Sequence, residues 1–213
     1  TGFSPYALQR KFIVVYPQST TTAAGNLWHV VAGDNFDVDY VASLTRYIHA
    51  SGCSTPAKTY LNGWSMGSML SSRIACSKNS NLYSGYAFAG GVLAPATGCV
   101  TERSKPISVY HSKLDPMVPY DGSNPYYMWR IVPESVNYTI SRVQMAKQWQ
   151  ASRGCVPTTV SSDTKLISYA YFTCAGAAST NVTIFNEEAH VWTPNPKSTA
   201  FSTTTSILTR FGL

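Results

Sequence analysis

The chain is poor in charge: only 12% of its 213 residues are Asp, Glu, Lys or Arg, about half the usual share. The net balance of +6 comes from scattered basic residues, whereas a nucleic-acid surface needs them concentrated. No nucleic-acid partner is expected. No apolar run approaches the roughly 18 residues of a membrane-spanning helix, so no membrane partner is expected either. The cysteines, Cys53, Cys76, Cys99, Cys155 and Cys174, never form a C-x-x-C pair. That removes the usual zinc and redox spacings, and neither a metal nor a cofactor is anticipated. Without an internal repeat or a linker, residues 1–213 read as one domain, expected as a monomer. No leader-like segment opens the sequence, which reads as a mature or trimmed form.

What is present fits a globular chain. Hydrophobic residues make up 44%, enough to bury roughly 70% of the unfolded surface in one core. Ser, Thr and Tyr replace charge as the solvated surface, which suits an extracellular protein. Five cysteines without metal spacing are best explained by disulfides in an oxidising compartment, and the odd count leaves one unpaired within the chain. Secretion is therefore expected. Asn137-Tyr138-Thr139 and Asn181-Val182-Thr183 are permissive for glycosylation.

Periodicity gives an alternation of strands and helices. Phe12 to Tyr16 is a continuous apolar run closed by Pro17, expected to be a buried parallel strand. From Asp37 a helix follows, with Val38, Val41, Leu44 and Ile48 on one face and acids at its amino end. Lys58 to Leu61 reads as a strand, Met66 to Cys76 as a helix, and Tyr86 to Val92 and Ile107 to His111 as buried strands. Thr139 to Arg153 reads as a helix capped by Gly154, Ile167 to Phe172 and Val182 to Phe185 as strands, and Ser198 to Leu213 as a closing helix. The pattern predicts an α/β fold with a mostly parallel central sheet and helices on both faces.

Between the second strand and its helix lies Gly63-Trp64-Ser65-Met66-Gly67. A serine hydroxyl is a poor nucleophile until a base removes its proton, and it must stand exposed to reach a carbonyl. A sharp strand-to-helix turn provides the exposure, and flanking glycines let strand and helix approach. The base would be a histidine oriented by a carboxylate, in the chain order Ser, Asp or Glu, His. Of the four histidines, His29 and His49 precede Ser65 and His111 lies within the segment that should supply the acid. His190 alone follows every candidate acid. Asp115, in the first loop beyond the strand at Ile107, is favoured over Asp121 and Asp163.

The elbow at Ser65, the stretch from His111 to Tyr120 and the ending His190-Val191-Trp192 together resemble carbohydrate esterase family 1. That family includes feruloyl esterases, acetylxylan esterases and related polyhydroxybutyrate depolymerase-like enzymes. The similarity extends through Phe12 to Pro17, Trp28, the helix from Asp37 and the pair Cys155 and Cys174. It implies an α/β-hydrolase fold with Ser65, Asp115 and His190 as a catalytic triad and the Met66 N–H in the oxyanion hole. It also implies a Cys155–Cys174 bridge and a Cys76–Cys99 bridge, with Cys53 left over. Two departures stand out. Ser68 occupies a position that is usually a second glycine, and the strands and His-Gly loop that normally precede the nucleophile are not seen. N-terminal strands are therefore expected to be missing from this sequence, and with them the second oxyanion donor.

The resemblance implies acyl transfer through a serine ester, on a feruloyl ester of plant cell-wall polysaccharide first, on acetylxylan or a polyhydroxyalkanoate second. Trp28 and Trp192 are candidate substrate-binding aromatics; Tyr120, Tyr126, Tyr127 and Trp129 fall in neighbouring loops. The contrasting expectation is an inactive wall-binding protein on a hydrolase fold.

Overall fold

The computed structural model describes residues 1–22, 25–30, 33–91, 105–119, 155–162, 167–174, 177–185, 190–193 and 201–213. In chain order the elements are α1 (Ser4–Arg10), β1 (Thr21–Thr22), β2 (Gly25–Asn26), α2 (Phe36–Ala50), β3 (Tyr60–Trp64), α3 (Met66–Ala75), β4 (Gly85–Ala89), β5 (Ile107–Ser112), β6 (Cys155–Ser162), β7 (Ile167–Cys174), β8 (Ala177–Phe185) and α4 (Thr203–Phe211). Strands β1 and β2 form a small antiparallel ribbon. The other strands form one sheet in the order β3-β4-β5-β8-β7-β6. From β3 through β4 and β5 to β8 the pairing is parallel. From β8 through β7 to β6 it is antiparallel.

Alternation along the central strands sorts the core into two layers, because successive side chains of a strand point to opposite faces. Tyr86 and Phe88 of β4 and Ile107 and Val109 of β5 pack with Val38 and Val41 of α2 and Met69, Leu70 and Ile74 of α3. Ala87 and Ala89 of β4 and Tyr110 of β5 pack instead with Ile207, Leu208 and Phe211 of α4 and with Phe3 ahead of α1. Helices thus cover both faces. This is the expected α/β architecture, its parallel part extended by an antiparallel flank that the sequence pattern did not disclose.

Several expectations need correction. Phe12 to Tyr16 is not a strand. Phe12 and Val14 pack against the α4 layer, while Ile13, Val15 and Tyr16 are 60%, 43% and 56% exposed. A cleft of about 500 Å³ separates the segment from Tyr60, Leu61 and Asn62 of β3, so it has no ladder partner. The strand expected at Lys58 to Leu61 starts two residues later, because Pro56–Lys58 makes a 3₁₀ turn first. Helix α1 and strand β6 were not anticipated; β6 carries Pro157, a residue that argues against a strand, next to an irregular step in its pairing with β7. The helix expected at Thr139 to Arg153 lies outside the described residues, as do Tyr120, Tyr126, Tyr127, Trp129, Asp121 and Asp163.

Candidate active site

Strand β3 runs into α3 through a single residue, Ser65, whose φ of 55° and ψ of −126° lie outside the regions a side chain ordinarily favours. Strain of this kind costs about 1–3 kcal/mol and persists only where the surroundings impose it. Here they do. The Ser65 N–H donates to Ala89 O at 2.9 Å, and Ser65 O accepts from the N–H groups of Ser68 and Met69. A Cβ on Gly63 would lie 2.1 Å from Gly67 O, so strand and helix can cross this closely only with glycine there. Gly67 itself is less constrained, since a Cβ would meet only Trp28 Nε1 at an ordinary 3.7 Å.

The adjacent loops deliver their groups from the carboxyl ends of neighbouring parallel strands, where ligands of open α/β sheets bind. Past β5, Asp115 is buried. Its Oδ1 accepts from the N–H groups of Met117 at 2.9 Å and Val118 at 2.8 Å, an Asx-type turn that fixes the carboxylate plane. Its Oδ2 is then free to face His190 Nδ1 at 2.8 Å. Past β8, His190 spans from that oxygen to Ser65 Oγ, 2.7 Å from its Nε2. Burial opposes ionisation of Asp115, yet hydrogen bonds from His190 and the Val118 N–H, with His190 and His111 nearby, hold its carboxyl below the ordinary value. An ionised Asp115 requires Nδ1 to carry the proton, which leaves Nε2 as the acceptor for the Ser65 hydroxyl.

Backbone bonds stitch these loops together beyond the strands. In addition to Ser65 N to Ala89 O, Gly90 N donates to Tyr110 O at 2.9 Å and Lys113 N to Phe185 O at 2.7 Å. Two side chains of the site were not singled out in the sequence. His111, buried, donates from Nε2 to Val118 O at 2.8 Å and lies 3.7 Å from Asp115 Oδ2. Its signal was a histidine four residues before the acid. Trp64 stacks on the His190 ring, with centroids 5.0 Å apart and 29° between planes; it was visible only as the variable residue of the elbow.

Of the other candidates, Met66 opens α3, so its N–H is among those that a helix leaves without an internal carbonyl. Trp28 lies over Gly67 and packs at the edge of the α2–α3 layer. Trp192 is occupied otherwise: its Nε1 donates to Thr204 Oγ1 at 2.9 Å and its ring meets Phe3 edge-on at 5.8 Å. These are the contacts of a packing residue. Cys76 is held in a disulfide, Cys53 is a free exposed thiol, and Cys99 lies outside the described residues. Cys155 and Cys174 stand opposite one another in the β6–β7 register. Among the described residues no group of His, Cys, Asp and Glu could hold a metal ion, and no helix is long and apolar enough to cross a membrane.

No protein-family model and no curated protein matches the chain. Among solved structures it is similar to an acetyl xylan esterase from Aspergillus awamori, with a TM-score of 0.66 over 100% of this chain and 81% of that one, at 15% identity. The chain has an α/β-hydrolase-like fold. Ser65, Asp115 and His190 follow β3, β5 and β8 in that order along the chain.

Proposed function

We propose that the chain is a serine carboxylic-ester hydrolase. The observation that carries this reading is the unbroken line Ser65 Oγ, His190, Asp115, closed by contacts of 2.7 and 2.8 Å. In the reaction His190 Nε2 takes the Ser65 hydroxyl proton while Oγ bonds to the ester carbonyl carbon. Asp115 holds the imidazole in its tautomer and offsets the positive charge. The tetrahedral oxygen accepts from the Met66 N–H at the start of α3, aided by the helix dipole. The Ser65 N–H does not serve, being committed to Ala89 O. Collapse expels the alcohol, protonated by His190, and leaves Ser65 acylated. A water then gives its proton to His190 as its oxygen bonds to the acyl carbon; the C–Oγ bond breaks, His190 returns the proton to Ser65 Oγ, and the acid is released.

The substrate we propose is an ester carried by a polysaccharide. An acetyl ester is favoured by the likeness to an acetyl xylan esterase. A feruloyl ester is the second reading, supported by Trp64, which is 38% exposed beside the nucleophile and offers an aromatic face. Secretion is supported by the disulfide at Cys76. A second bridge between Cys155 and Cys174 fits their paired register, since antiparallel partners stand about 4.5–5.5 Å apart at Cα.

The test combines one variant with paired substrates. Ser65→Ala should lower kcat on a simple aryl acetate by at least about 10³-fold with the fold retained. Wild-type rate in that variant would sink the serine reading, whereas no turnover by the unsubstituted protein would favour the binding-protein alternative. The ratio of kcat/KM on acetylated xylan to that on methyl ferulate then decides between the two acyl groups.

A further inference from the structure

Trp64 does more than fill the variable position of the elbow. His190 uses both ring nitrogens in its own plane, one toward Asp115 and one toward Ser65. Its ring faces remain for further contacts, and Trp64 covers one of them at 5.0 Å between centroids. The fold makes room for this. Gly90, at φ +63°, follows β4, and a Cβ there would lie 3.1 Å from Trp64 Nε1 and 3.5 Å from His190 Cε1. The backbone pleat therefore leaves a notch in which indole and imidazole meet. The His190 side chain is only 8% exposed, so little water competes for the ring.

We propose that Trp64 is a positioning residue that holds the His190 ring and stabilises its charged form during acyl transfer. This rests on the reading of Ser65, His190 and Asp115 given above. When Nε2 takes the Ser65 proton the imidazole becomes a cation whose centre lies within the roughly 6 Å over which an indole face attracts positive charge. The attraction is stronger for imidazolium than for neutral imidazole, so it lowers the barrier rather than merely the ground state. The same residue fixes the ring's tilt, which keeps both in-plane hydrogen bonds short.

The experiment compares Trp64→Phe and Trp64→Leu with wild type on aryl esters of acetic and of cinnamic acid. Trp64→Leu should lose roughly 3- to 20-fold in kcat, by the same factor on both acyl groups and with KM little changed. Trp64→Phe, which keeps an aromatic face, should recover most of the rate. Labelling of Ser65 by a fluorophosphonate should slow in parallel, because it draws on the same base. Trp64→Met serves the comparison if the leucine variant does not accumulate. A loss confined to KM or to the cinnamic ester would overturn the proposal and make Trp64 a substrate platform instead. A wild-type kcat in Trp64→Leu would overturn it too. Ser65→Ala run alongside separates the failures: activity surviving in that variant defeats the acyl-enzyme reading itself, whereas an inactive Ser65→Ala with an unaffected Trp64→Leu defeats only the role of Trp64.

Discussion

Asp115 shows how one side chain ties stability to the site. Two backbone N–H groups engage Oδ1 and His190 engages Oδ2. Its carboxyl is held below the ordinary 3.8 by these partners, against the opposing effect of burial. A carboxyl lowered in the folded state contributes stability that is fully present above its unfolded value and is lost as pH falls through the folded one. Acidification below 3.8 should therefore lower the urea midpoint of wild type, and Asp115→Asn should flatten that fall while starting from a lower midpoint near neutrality. An equally steep acid fall in both proteins would contradict it. Activity in the same variant should drop by about 10⁴-fold, since an amide favours the wrong imidazole tautomer.

Elements explain what could be read from sequence and what could not. Helices α2 and α3 were legible because apolar residues recur at helical spacing and both lie against the sheet on one side. Strands β4 and β5 were legible as short buried runs. Phe12 to Tyr16 misled for a physical reason: an apolar run identifies a segment that seeks burial, not the ladder that would make it a strand, and this one meets a cleft. In the site, Ser65, Asp115 and His190 followed from chain order and chemical type, whereas the stacking of Trp64 and the placement of His111 depend on sheet register, which no short motif encodes. The two elbow glycines looked equivalent in sequence and are not. Gly63→Ala should cost about 3 kcal/mol or more, because its Cβ would meet the Gly67 carbonyl at 2.1 Å. Gly67→Ala should leave the thermal midpoint unchanged or slightly raised, as expected for an open helical position. Equal losses in the two variants would refute this account.

At the scale of the whole molecule, the parallel part of the sheet, from β3 to β8, presents Ser65, Asp115 and His190 beyond its carboxyl edge, and the two-sided core of α2, α3 and α4 packs against it. The bonds from Ser65 to Ala89, Gly90 to Tyr110 and Lys113 to Phe185 continue the ladder past the strand ends. Such a seam should place the loops bearing Ser65, Asp115 and His190 in the molecule's slowest-opening unit. The amides of Ser65, Gly90 and Lys113 should exchange with deuterium as slowly as those in the middle of β4 and β5, and inactivation on warming should coincide with loss of the sheet's circular dichroism. Exchange at loop rates, or inactivation at a lower temperature, would place the seam outside that unit. If the seam opens only with the sheet, the protein should have no softened state in which it is folded but idle, and should work until the sheet itself lets go.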